Sequence, residues 1–133
     1  MNRLTGTITS IVQNGDLHFV QMKRGEFRLS ALTLELPSDF REGTEVFVLF
    51  KETEVILARE PLGDLSLQNR LGGEILSIEI GKILAKAVLA VAGGTVTAII
   101  TADSAKRMDL RPGDRVIGLI KATEVSFERI GDG

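Results

Sequence analysis

The chain contains no cysteine, no tryptophan, no tyrosine and a single histidine, His18. Without cysteine there are no disulfides and no thiolate metal sites. With phenylalanine as the only aromatic residue, a base-stacking platform for single-stranded nucleic acid has little to build on. Phe19, Phe27, Phe40, Phe47, Phe50 and Phe127 read as core. The net charge of −2 lacks the cationic footprint that nucleic-acid binding needs. No apolar run reaches the length of a membrane span. The N-terminus lacks the cationic, apolar and small-residue segments of a secretory signal. A cytoplasmic protein with no nucleic-acid partner and no membrane insertion is the expectation. Hydrophobic residues make up 44% of the 133, which argues for a folded chain throughout.

What is present is an internal repeat. Asn69-Arg70-Leu71 restates Asn2-Arg3-Leu4 at an offset of 67. Gly73 to Ile78 runs against Gly6 to Ile11 at the same offset. Lys121-Ala122-Thr123-Glu124-Val125 answers Lys51-Glu52-Thr53-Glu54-Val55 at 70, so the second copy carries a three-residue insertion. Each copy is near the lower size limit for an independent domain, which predicts that the copies pack on each other or on other chains. The expected division is a first domain over 1–60, a linker at 61–65 and a second domain over 66–133. Pro61, Gly63 and Asp64 mark the linker, and its brevity makes the halves neighbours.

Hydropathy alternation and turn residues give the same plan twice. In the first copy, strands are expected over 7–12, 17–22, 26–30, 46–50 and 55–58, with Asn14-Gly15-Asp16 a hairpin turn. Residues 32–36 suit either a strand or a helix. In the second copy, strands are expected over 74–80, 83–91, 95–100, 115–120 and 124–127. Thr101 can cap a short helix over 102–108. Five strands and one small helix per copy predict an all-β fold with short helices: two tandem, small OB-like Greek-key β-barrels.

Catalytic chemistry has little to work with. His18 lies on a strand with no acidic or nucleophilic partner at a useful spacing, and the acidic residues are scattered. Gly72-Gly73 and Gly93-Gly94 lack the strand-to-helix context of a phosphate loop. A non-enzymatic protein is expected, with no cofactor and no directly ligated metal. Small polar residues and lysines do recur at equivalent places. Ser66-Leu67-Gln68-Asn69 precedes the first strand of the second copy, and Lys121-Ala122-Thr123 follows its most apolar strand. Hydroxyls, backbone amides and one lysine are the donors a tetrahedral oxyanion needs. The same residues could equally be the solvated ends of two strands.

The residues from Ser66 to Leu71, Gly73 to Ile78, Thr97 to Thr101, Gly113 to Val116 and Leu119 to Val125 resemble the molbindins. These are molybdenum-pterin-binding domains, related to the TOBE domains of molybdate-transporter ATPases. The match is strongest over about 66–128 and weaker over about 2–58. The tandem plan resembles a di-domain molbindin. The resemblance implies binding of molybdate or tungstate as the intact oxyanion, for storage, buffering or homeostasis. The alternative is a regulatory or oligomerisation module of a molybdate transport or molybdate-responsive system. It also implies a homotrimer with anions at domain interfaces. By matching position, Ser66, Leu67, Gln68 and Asn69 would supply hydroxyl and backbone donors. Lys121, Ala122 and Thr123 would come from a neighbouring domain. Lys51, Thr53 and Arg70 are weaker candidates, with Arg70 adjoining the motif. Leu67-Gln68 stands where the family has Ala-Arg, which removes a cation. In the first copy no serine precedes Asn2 in the motif, and Glu52 replaces the small residue. A carboxylate there would repel a dianion if it pointed inward. Sites built on the first copy are therefore expected to be fewer, weaker or lost, with mixed sites joining Ser66 to Lys51 of another chain still open.

Overall fold

The computed structural model describes residues 1–131. Ten strands and one α-helix follow in order: β1 (Asn2–Asn14), β2 (Leu17–Arg24), β3 (Phe27–Thr33), β4 (Glu45–Phe50), β5 (Ile56–Ala58), β6 (Asn69–Ile80), β7 (Leu84–Val91), β8 (Gly94–Thr101), α1 (Ala102–Arg107), β9 (Arg115–Ile120) and β10 (Ser126–Arg129). Short 3-10 turns at Glu52–Glu54 and Ala122–Glu124 precede β5 and β10. The fold is mostly β, with two five-stranded sheets in a tandem OB-like arrangement.

The strands repeat in order and spacing. Strands β2 and β7 begin 67 positions apart (Leu17, Leu84), as do β3 and β8 (Phe27, Gly94), whereas β4 and β9 begin 70 apart (Glu45, Arg115). The insertion therefore falls between β8 and β9, where α1 is. Thr101 caps this helix, its Oγ1 accepting from the Ser104 amide at 3.0 Å. The repeated plan predicts a helix in the first half as well. There, Leu34–Thr44 joins β3 to β4 without one. That connection is shorter, and Pro37 sits within it, where it disfavours helical backbone at Leu36. Of the ambiguous stretch 32–36, Leu32 and Thr33 complete β3, and the rest leaves the sheet.

The first strand of each half is longer than its alternation predicted, because it serves two neighbours. β1 pairs with β4 over Asn2–Thr7 and with β2 over Thr7–Asn14, with a bulge between Ile8 and Ser10. β6 does the same, with its bulge between Ile75 and Ser77. The bulge bends the strand from one pairing into the other. Gly73 sits at this bend. A Cβ there would lie 2.4 Å from the Ala90 carbonyl oxygen, so only glycine fits.

The sheets do not follow the division of the chain at 61–65. The first sheet runs β10-β4-β1-β2-β3 and the second β5-β9-β6-β7-β8. Each half thus donates its last strand to the other. β5 pairs with β9 through Ile56↔Leu119, and β10 pairs with β4 through Phe127↔Val48. The exchange is held by packing. Val55 and Leu57 are buried in the second half, where Val55 approaches Gly118. Burying each such side chain contributes about 1.5–3 kcal/mol. Phe127 meets Phe40 edge-to-face at 6.4 Å, and Arg3 both stacks on Phe47 and pairs with Glu128 at 3.0 Å. One continuous core runs from Leu4 through Val125.

Two reciprocal amide bridges complete the interlock. Asn69 Nδ2 donates to the Ser30 carbonyl at 2.8 Å, while its Oδ1 accepts from the Ser30 amide at 2.6 Å. Asn2 does the same to Thr97, at 2.8 Å both ways. Ser30 and Thr97 are themselves 67 apart, so the bridges are repeat-equivalent. Each crosses from the opening strand of one half to the third strand of the other.

After β5, Arg59 ties the chain to the α1–β9 connection, donating to the Met108 carbonyl at 2.7 Å and to Asp114 at 2.9 Å. Asp114 also accepts from the Arg111 amide, and this bond, helped less by Arg59 and opposed by desolvation, holds its carboxyl below the usual aspartate value. A lowered carboxylate pKa means stability that is present above the unfolded value and lost as pH falls through the folded one. Asp114→Asn is therefore expected to lower the melting temperature near neutrality. The gap to the wild type should narrow as the pH is taken below the ordinary aspartate range, which thermal melts across pH would show.

Candidate functional site

Antiparallel pairing of Asn69 with Ile120 sets the residues before β6 beside the residues after β9. Ser66, Leu67 and Gln68 thereby face Lys121, Ala122 and Thr123 across a cavity of about 210 Å³. The resemblance implied that the lysine segment comes from a neighbouring domain. In this chain both segments belong to one half, by register. What the other half supplies is Leu32, on β3.

The local backbone explains why both segments can present donors. After β9 the chain enters a 3-10 turn in which the Glu124 amide bonds to the Lys121 carbonyl at 2.9 Å. That turn leaves the Ala122 and Thr123 amides outside its own hydrogen bonding. Lys121 and Thr123 are exposed and Ala122 is half-buried, so a methyl group is all that stands beside those amides. On the other side, Arg70 donates through Nε to the Leu67 carbonyl at 3.0 Å and through Nη2 to the Leu65 carbonyl at 3.2 Å. A trans peptide points its N–H opposite to its C=O. With those two carbonyls held by Arg70, the Ser66 and Gln68 amides project away from it. Arg70 thus orients the loop.

Asn69 is placed differently. It is 0% exposed, and both ends of its side-chain amide are used by Ser30. It does not line the cavity. Its amide fixes the position of β3, and hence of Leu32, against the loop. Sequence reasoning missed Leu32, which carries no signal beyond being an apolar strand residue.

The corresponding place in the first half is built otherwise. Lys51 and Thr53 are exposed, and the turn that holds Thr53 packs against β8. The Glu52 carboxylate pairs with the Met1 amino group, which, as the largest cause, lowers its pKa. A carboxylate therefore stands where the second half has a methyl group. His18, on β2, is half-buried, and its Nδ1 has no hydrogen-bond partner among the described residues. A larger, open groove of about 620 Å³ runs along Glu60–Gly63, Arg70, Gly72 and Ile117. It carries the Glu60 carboxylate, and its arginine is already engaged by the loop. The smaller cavity is the better candidate because hydroxyls, free amides and an ammonium group border it together.

Residues 65–127 match the TOBE domain. The chain is 36% identical over 62 residues to molybdenum-pterin-binding protein 1 of Clostridium pasteurianum, covering 46% of this chain and 91% of that protein. The chain belongs to the molbindin family. This molbindin is also 31% identical over 129 residues to the molybdenum transport protein ModE of Azotobacter vinelandii, covering 93% of this chain and 48% of ModE. It thus spans about half the length of that relative. A structure of the cytoplasmic molybdate-binding protein ModG with molybdate bound matches with a TM-score of 0.90 at 28% identity, covering 96% of this chain and 95% of that one. The family is one of molybdate-binding proteins and not an enzyme family. Among the described residues, no helix is long and apolar enough to cross a membrane.

Proposed function

We propose that this molbindin binds molybdate, or tungstate, as the intact tetrahedral oxyanion in the cavity bordered by Ser66–Gln68 and Lys121–Thr123. The observation that carries this reading is the convergence of the two segments on one small cavity. A dianion with four oxygens takes donors from several directions, and this cavity offers them without an opposing carboxylate on its wall. Lys121 supplies the charge, Ser66 and Thr123 the hydroxyls, and the Gln68, Ala122 and Thr123 main chain the amides. The bond is non-covalent, so the anion can be released. That suits storage, buffering and hand-over within the cytoplasm, and the protein catalyses nothing and uses no cofactor. ModG and the clostridial protein, named for molybdate and for molybdenum-pterin, support the ligand class.

The protein acts as a homo-oligomer, a trimer by our reading. The β6–β7 hairpin exposes Ile80, Leu84 and, at 75%, Ile83, a contiguous apolar tip that another copy would cover. Phosphate, partly protonated at neutral pH, brings a donor that an all-donor site leaves unmatched. Isothermal titration with molybdate beside light scattering tests the whole reading. Saturable heat from a species of about three chains is expected. A monomer that evolves no heat would refute both parts.

A further inference from the structure

We propose that Leu32, contributed by the opposite half, is the residue that sets the anion selectivity of the cavity. The inference rests on the oxyanion reading above. Leu32 is the one cavity residue from the first sheet, and its side chain offers neither donor nor acceptor. It is half-buried on β3, across from Phe19 on β2, so it has apolar support behind it. Its position is fixed. Ser30 lies two residues away on the same strand face, and the buried Asn69 amide clamps the Ser30 main chain through two bonds. Asn69 directly follows Gln68, so the wall and the donor loop are locked to each other.

A donor-free wall acts on anions of equal charge according to their size. A dianion entering the cavity sheds water on the Leu32 side and receives no hydrogen bond in return. That cost rises as the ionic radius falls, because a smaller ion is more strongly hydrated. Sulfate is smaller than molybdate and therefore loses more. The donors opposite give affinity to both, and the wall separates them.

Ile99 is the repeat-equivalent of Leu32 and provides the control. It lines a different cavity, with Ile80, Leu84 and Lys86. The test is a competition titration with sodium molybdate and sodium sulfate on the full chain as wild type, Leu32→Ala, Leu32→Gln and Ile99→Ala. The ratio of sulfate to molybdate dissociation constants is expected to fall about tenfold in both Leu32 variants and to stay constant in Ile99→Ala. Leu32→Gln keeps the volume while adding a donor, so it decides the matter even if Leu32→Ala fails to fold. If the Leu32 variants weaken both anions by one common factor, Leu32 is packing only and the proposal is overturned. If the wild type binds neither anion, the oxyanion reading itself falls, and this inference with it.

Discussion

Replacing Lys121 by alanine is expected to weaken molybdate binding by about 10- to 100-fold, the range for one charge-assisted hydrogen bond. Lys121 is exposed and, among the described residues, no hydrogen bond or ion pair holds its side chain, so its removal leaves the fold alone. Melting temperature and oligomer mass should stay at wild-type values while the titration flattens. Lys51→Ala is the matched control. The turn it opens is the repeat-equivalent one, but the neighbouring Glu52 carboxylate makes that turn hostile to a dianion. A Lys51 variant that loses as much affinity as the Lys121 variant would move the site to the first half.

The second large effect concerns stability. Asn69→Ala removes two hydrogen bonds and leaves the buried Ser30 amide and carbonyl without their partners. A buried polar group left unpaired costs about 1–3 kcal/mol, so the two together are expected to cost about 2–6 kcal/mol. Asn2→Ala should behave alike, because Asn2 makes the same pair of bonds to Thr97. Urea unfolding measures both. A change below about 0.5 kcal/mol, the level of an ordinary surface substitution, would mean that the bridges do not hold the halves together. The two variants separate stability from binding. Asn69 stands beside the proposed cavity and should also lower anion affinity by releasing β3. Asn2 stands at the other end and should not.

How much of this was readable from the residues depends on what each residue type can signal. The alternation around Phe27–Ser30 and the run Val46–Phe50 each announce a strand, and both are strands. Thr101 announces a cap and is one. The repeat offset, with its step of three, announces an insertion in the second copy, and the strand starts place it at α1. The exchange of β5 and β10 left no such trace. Val55–Ala58 reads as a strand after either half, since hydropathy says that a segment is buried but not against what. A matching plan predicts a helix in the first half too, but the copies diverge in length at that point. Asn69 shows the same ambiguity at a single residue. A polar side chain at a strand entrance looks alike whether it serves a ligand or a neighbour's main chain. Ser66–Gln68 and Lys121–Thr123 stand out in the sequence as two separate segments, and one small cavity brings them together. Their meeting within one half required the register Asn69↔Ile120, which no motif specifies.

The proposed function stands or falls on where the anion sits. Crystals grown with tungstate and measured at the tungsten absorption edge place the metal directly. An anomalous peak is expected between Ser66–Gln68 and Lys121–Thr123, with Leu32 on its far side. A peak elsewhere, in the groove along Glu60–Gly63 or beside Lys51 and Thr53, with this cavity empty, would contradict it.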